Sequence, residues 1–242
     1  MTLVFAHRGS KGTHPENTLI AFKEAIRVQA DGIELDVQYT KDKELVVIHD
    51  GDVNRTTNKE GLVQNYTLAE IKTLDAGSWF DAKYQEETIP SFDEVLALLE
   101  ESNYPGILNI EIKTDEYDYD GIEKSVIESL KKYQLSCQII FSSFNMETMK
   151  RVISLDQERP KAMIMDKSER KINFARETAE IDAIHPSMEW IKENQDIIPM
   201  FDLKLRPWTA NSTEDMNLCF DLKLEGFHTD FPEKAMNEKN KR

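Results

Sequence analysis

A (β/α)8 barrel is the fold this sequence predicts, and three observations predict it. Short apolar runs of strand character alternate with amphipathic helical segments along the whole chain, which implies parallel pairing. Eight such strand–helix units can be counted in 242 residues, the size of a barrel of this kind, if Leu45 to Ile48 is taken as an extension of the second strand. Polar or aromatic residues fall near the C-terminal ends of the runs: His7, Glu34, Asp36, Glu111, Lys113, Ser143, Trp208 and Asp230. In a barrel they would share one rim, the face on which such folds carry their chemistry.

The first run, Leu3 to Ala6, is short and wholly apolar, so it reads as a buried strand ending at His7-Arg8-Gly9. There Gly permits close backbone approach and Arg can clamp an oxyanion with two bonds. Leu19, Phe22 and Ile26 recur at helical spacing through about Val28, with Asn17 or Thr18 as cap.

Gly32 to Asp50 is the most telling stretch. Ile33, Leu35 and Val37 alternate with Glu34, Asp36 and Gln38, which puts two carboxylates on one strand face, ~6–7 Å apart. Glu-x-Asp alone also describes a solvated strand face. Here the carboxylates sit among aliphatic residues, where their repulsion is unfavourable unless a cation lies between them. A second apolar strand, Leu45 to Ile48, delivers His49-Asp50 at its end. Paired carboxylates and a histidine at successive strand ends are what metal-assisted acid/base chemistry needs.

Residues 55 to 83 are rich in Thr, Asn and Gly, with one short helical signal at Thr67 to Ile71. Trp79 and Phe80 suit a local core or a substrate contact equally. Ser91 and Glu94 form a capping box for a helix whose apolar face is Val95, Leu96, Leu98 and Leu99. In Leu108 to Lys113, alternation places Asn109, Glu111 and Lys113 on one face, where Glu and Lys could be a simple ion pair.

Further units follow: helix 120–133, strand 139–142, helix 146–155, strand 161–165, helix 170–178, strand 182–185, a short helix near 189–194, strand 203–208, helix 213–222 and strand 226–230. The terminal NEKNKR reads as a frayed helix end or tail. His14 sits in a loop beside the site by sequence and could touch substrate; His185, before Pro186 at a strand end, is as readily a packing residue, and His228 inside the last strand could be a core histidine.

A net charge of −15 argues against nucleic acid and anionic membrane surfaces as partners, though a bound cation can reverse the field for an anionic substrate. No run reaches spanning length, no signal-peptide pattern opens the chain, and Cys137 and Cys219 lie apart in apolar segments as buried thiols. A soluble cytoplasmic protein without stable membrane association is the expectation.

The chain resembles the glycerophosphodiester phosphodiesterase family. The resemblance is carried by His7-Arg8-Gly9, Pro15-Glu16-Asn17-Thr18, Glu34-x-Asp36, His49-Asp50, Arg55-Thr56-Thr57 with Gly61, Ile89-Pro90-Ser91, Glu111-x-Lys113, Trp208-Thr209-x-Asn211 and Thr229-Asp230-x-Pro232, in order over nearly the whole chain. It implies one barrel domain over residues 1–242 with a small inserted subdomain after the second strand, at 51–89. It implies hydrolysis of a small glycerophosphodiester to glycerol 3-phosphate and an alcohol. By resemblance Glu34, Asp36 and Glu111 bind one divalent cation, His7 and His49 are the acid/base pair, and Arg8 and Lys113 contact phosphate. All-oxygen ligation points to Mg2+ or Ca2+ rather than zinc. Trp208 would pack against the glycerol or alcohol part. The family further suggests attack by the adjacent glycerol hydroxyl through a cyclic phosphate. Departures are Asp42-Lys43 in a turn, Asp202 before the seventh strand and His228 in the last. The other readings are a phosphodiesterase acting on lysophospholipids, which needs an apolar rim at the barrel mouth, and a non-catalytic binding barrel.

Overall fold

The computed structural model describes residues 1–242. Along the chain run β1 (Leu3–Ala6), α1 (Leu19–Arg27), β2 (Gly32–Tyr39), β3 (Leu45–Val47), α2 (Leu68–Ile71) and α3 (Phe92–Glu101). Then come β4 (Ile107–Ile112), α4 (Ile122–Leu130), β5 (Gln138–Ser143), α5 (Met146–Leu155), β6 (Lys161–Ile164) and α6 (Glu169–Glu177). The last third holds β7 (Ala183–His185), α7 (Met188–Glu193), β8 (Lys204–Leu205), α8 (Thr213–Asp221), β9 (Gly226–Thr229) and α9 (Pro232–Lys239).

The sheet runs β8-β7-β6-β5-β4-β2-β1-β9, every neighbour parallel, with β3 antiparallel on β2. Between β8 and β9 the barrel is nearly closed by two backbone bonds. His228 N donates to Pro207 O at 2.8 Å and Ala210 N donates to His228 O at 2.9 Å. The sequence predicts a strand over 203–208, but regular pairing covers only Lys204–Leu205. Pro207 has no N–H to give a ladder. Hydrogen bonding to the β7 side nonetheless continues in the same register past it, with Arg206 N on Ile184 O at 3.2 Å, Trp208 N on Pro186 O at 2.9 Å and an isolated parallel bridge from Ser187 to Trp208.

Alternation sorts the two faces of each strand. Ile33, Leu35 and Val37 of β2 and Leu108, Ile110 and Ile112 of β4 are buried in one cluster with Phe22, Phe92, Val95 and Leu96 of the helices. Each such side chain contributes roughly 1.5–3 kcal/mol on leaving water. The partner positions Glu34, Asp36, Asn109 and Glu111 are buried as well, toward the barrel axis.

Local signals hold where the chemistry is local. Thr18 caps α1, accepting from Ala21 N, and Thr67 and Ser91 close capping boxes with Glu70 and Glu94. Residues 51–89 pack on β3 through a smaller core of Val46, Ile48, Val53, Val63, Ile71, Leu74, Ala76 and Ile89. Trp79 belongs to this local packing: its Nε1 donates to Ala76 O at 2.8 Å and its ring meets Phe80 edge-on. At the other end, Asn237 to Lys239 of the expected tail are helical in α9, and Arg242 pairs with Asp221 at 2.6 Å. Both cysteines are buried free thiols.

Candidate active site

β2 overshoots the barrel. Its pairing with β1 ends at Ala6 opposite Ile33, whereas its own residues continue to Tyr39 in a hairpin with β3. Glu34 and Asp36 therefore lie mid-strand yet level with the rim, and Asp36 stands directly opposite Glu111 of β4. One carboxylate oxygen from each of Glu34, Asp36 and Glu111 lies within 4.8 Å of the others, and all three residues are buried. These three side chains are brought together as the sequence predicts.

His7 and His49 flank them in matching fashion. His7 Nδ1 donates to Asp230 Oδ1 at 2.6 Å, and Asp230 Oδ2 accepts from Asn211 Nδ2 at 2.8 Å. His49 Nδ1 donates to Asp50 Oδ1 at 2.6 Å, and Asp50 Oδ2 accepts from Arg55 Nε at 2.7 Å. Each carboxylate fixes the tautomer, leaving Nε2 free to exchange a proton. Burial, and next the Arg8 charge, lower the His7 pKa to about 4. Asp230 is lowered to about 2: burial opposes ionisation, and the His7 bond overcomes it.

Arg8 and Lys113 sit beside the carboxylates. The backbone takes a left-handed turn at Arg8 (φ 52°) and Gly9 (φ 78°), and a Cβ on Gly9 would meet the Ala21 backbone at 2.7 Å. That close approach to α1 is why the strand end needs glycine. The turn aims Arg8 N at Glu34 Oε2, 2.8 Å away, while Arg8 Nη1 donates to Glu16 at 2.8 Å and Nε lies 3.4 Å from Asp36 Oδ2. Lys113 Nζ donates to Glu111 Oε1 at 2.9 Å and lies 3.4 Å from His49 Nε2. The Glu111–Lys113 ion pair read from the alternation is present, and both residues also line the cavity.

A divalent cation fits this donor set. Three carboxylates face two cations, and Arg8 is shared with Glu16. Asp36 Oδ1 is buried without a hydrogen-bond partner. Burial first, then the charges of Asp36 and Glu111, push Glu34 well above the usual carboxylate range. A bound cation would relieve both features. Asp36 itself stays low: burial opposes this, but His49, Arg8 and Lys113 hold it ionised.

The cavity has a volume of about 450 Å3 and is lined by 16 residues, of which only Phe144, Ile164 and Trp208 are apolar. Trp208 lies on its wall, Nε1 donating to His185 O at 3.0 Å and ring edge-on to Phe144 at 5.8 Å. His185 and His228 form part of its floor, ring centroids 4.8 Å apart. Burial pushes His228 down to about 3 and His185 well below its usual value, so both are neutral polar groups. His14 is absent from the lining and packs against Tyr84.

Local periodicity finds the three carboxylates and the two histidines but misses their partners. Asp230 stands at the predicted rim, yet nothing in a two-residue period ties it to His7, 223 positions away. The same holds for Arg55 and Glu16, 39 positions apart, and for Phe144 opposite Trp208.

Glu16 carries a testable consequence. Burial would raise its pKa, but the Arg55 hydrogen bonds and the Arg8 charge win, lowering it from 4.5 to about 2. A carboxylate depressed in the folded state stabilises above its unfolded pKa and loses that contribution as pH falls through the folded value. Such a shift corresponds to about 3 kcal/mol. Melting temperature should therefore drop steeply between about pH 4.5 and 2, and Glu16→Gln should flatten that slope. An unchanged slope in calorimetric scans would contradict the pairing.

A model of the glycerophosphoryl diester phosphodiesterase family matches residues 7–234. A glycerophosphodiester phosphodiesterase of Caldanaerobacter subterraneus is 40% identical over 237 residues, covering 98% of this chain and 97% of that protein. Another, from Bacillus altitudinis, is 37% identical over 240 residues, with 98% and 97% covered. Among solved structures, an Oleispira antarctica phosphodiesterase in complex with the product sn-glycerol-3-phosphate superposes with a TM-score of 0.90 at 27% identity, covering 99% of this chain and 97% of that one.

Proposed function

The chain belongs to the glycerophosphoryl diester phosphodiesterase family, and from that premise we propose that it hydrolyses small glycerophosphodiesters to glycerol 3-phosphate and an alcohol, using His7 and His49 as acid and base around one divalent cation. It is a phosphoric diester hydrolase. The observation that carries it is the pair of carboxylate-tethered histidines flanking three convergent buried carboxylates.

Glu34, Asp36 and Glu111 would hold the cation, a hard Mg2+ or Ca2+ given oxygen-only donors. When bound it supplies positive charge where negative charge grows on the phosphoryl oxygens. Arg8 and Lys113 add donors on the same side and hold the phosphodiester by charge. One histidine takes the proton of the attacking hydroxyl while the other gives a proton to the departing alkoxide, so two are required. The adjacent glycerol hydroxyl attacks phosphorus first; the alcohol leaves, and water then opens the cyclic phosphate by the reverse proton traffic. Trp208 and Phe144 offer the glycerol or alcohol part an apolar wall.

Residues 51–89 fit an inserted subdomain within a single barrel domain spanning 1–242, and they contribute Arg55 to the site. A cavity with three apolar lining residues favours small polar diesters over lysophospholipids, and a net charge of −15 disfavours nucleic acid and anionic membranes. No helix is long and apolar enough to cross a membrane, in keeping with a cytoplasmic location without stable membrane association.

The test is a product-release screen over glycerophosphodiesters differing in alcohol group, with Mg2+, Ca2+ or a chelator. Glycerol 3-phosphate release that vanishes on chelation and returns with one of these ions is the expected result. Undiminished turnover in chelator would remove the cation from the reading, and no turnover on any diester would remove the substrate class.

A further inference from the structure

Two sequence motifs find no place in the chemistry above: Pro15-Glu16-Asn17-Thr18 and Arg55-Thr56-Thr57. Resting on the roles given to His49 and Arg8, we propose that Arg55 and Glu16 are positioning residues that lock His49 and Arg8 into one unit.

The geometry is a continuous chain of charges. His49 Nδ1 donates to Asp50, 2.6 Å, and Arg55 Nε donates to the other oxygen of the same carboxylate, 2.7 Å. Arg55 then forks onto Glu16, Nη1 to Oε2 and Nη2 to Oε1, both at 2.8 Å. Glu16 Oε1 also accepts from Arg8 Nη1 at 2.8 Å. Arg8 ends the chain beside Asp36 and Glu34. Glu16 is the hub. Its side chain is only 2% exposed and carries two arginines, so its carboxylate is satisfied only while both stay in place.

This chain differs from the one behind His7. There the carboxylate of Asp230 is backed by the neutral amide of Asn211 and makes no ion pair with a lysine or arginine. Behind His49 the backing group is a cation in a forked, directional bond, which a lysine cannot reproduce. Arg55 comes from residues 51–89 and Glu16 from the loop before α1. The His49 ring is thus set by contacts between two separate loops, and the same contacts hold the guanidinium on the phosphate side. Asn17 completes the arrangement: its left-handed backbone (φ 55°) puts Nδ2 2.8 Å from Asp36 Oδ2.

Arg55 is 44% exposed at its side chain, so the fold should tolerate its replacement. The experiment takes the full-length enzyme with Mg2+ present and compares Arg55→Met and Arg55→Lys with wild type. It reads kcat and KM, together with the 15N signals of the His49 and His7 rings at neutral to mildly basic pH. Wild-type His49 should show one tautomer with the proton on Nδ1. In Arg55→Met that signal should split or average while His7 keeps its own, and kcat should fall roughly 10–100-fold, the usual effect of losing an outer partner. Arg55→Lys should recover part of kcat, because a single ammonium can serve one carboxylate but not both.

An unchanged His49 ring in Arg55→Met overturns the proposal whatever happens to kcat. Equal disturbance of both rings overturns it too, since that is a general lesion rather than a positioning one. The ring signals need no turnover, so they judge this linkage even if the diester screen fails.

Discussion

Replacing either His7 or His49 by alanine should lower kcat by about 10²–10⁴-fold with cation binding retained. Each ring is held through Nδ1 by a carboxylate at 2.6 Å, so its Nε2 is the atom left for proton transfer. Neither is needed to fill the donor set, because three carboxylates converge without them. His7 should be the more damaging loss to the resting geometry. It is only 11% exposed, its pKa falls to about 4 and it is neutral at physiological pH. The measurement is steady-state kinetics on a glycerophosphodiester beside a calorimetric titration with Mg2+ or Ca2+. Near-normal turnover in either variant would return that histidine to a structural role, and lost cation binding would make it part of the donor set.

A glycerophosphodiester lacking the hydroxyl next to the ester should bind and inhibit competitively but react poorly. No serine or cysteine of the chain sits as a nucleophile beside a base, and both site histidines are assigned to proton transfer. Cys137 is buried with its thiol pushed up to about 11, and Cys219 is buried and pushed higher still. Ser143, at the rim, donates its hydroxyl to Ile112 O at 2.8 Å, and Ser142 points to Ile110 O. No base stands beside either. A hydroxyl already on the substrate has an effective molarity worth several kcal/mol of barrier, roughly the 7–11 kcal/mol range at best. In the roles proposed for them, Arg8 and Lys113 would hold the phosphate whether or not that hydroxyl is present. Comparing the deoxy analogue with its parent decides the matter. Similar rates would mean direct attack by water, and the cyclic phosphate would have to be dropped.

How much of this could be read from residues alone depends on range. The strands β1, β2 and β4, the capped helices α1 and α3, and the carboxylates Glu34, Asp36 and Glu111 all announce themselves within a few positions. Their signals are period-2 alternation, a cap and an apolar stripe, all set by local sterics. The partners of the histidines do not announce themselves. Asp230 and Asn211 reach His7 only when β9 lies against β1, and Arg55 reaches Glu16 only when two loops meet over the rim. Pro207 shows the same limit in reverse. It stands in Leu203 to Trp208, where Leu203 and Leu205 alternate with Lys204 and Arg206 and read as strand, whereas regular pairing covers only Lys204–Leu205.

The pairing of β1 with β9 also sets an order of events on the ribosome. β1 emerges first, but one of its two neighbours is the last strand in chain order. β2 can pair early, through a short crossover, and so can β4 and β5 after it. His7 must wait for a partner 223 residues downstream. A nascent chain short of Asp230 already contains the three carboxylates and Arg8, Glu16 and Arg55, yet it has nothing to orient His7. Closure of the ring and the tethering of His7 therefore share one late step in chain order, and a chain ending before Asp230 would lack the acid/base geometry proposed above even with Glu34, Asp36 and Glu111 all present.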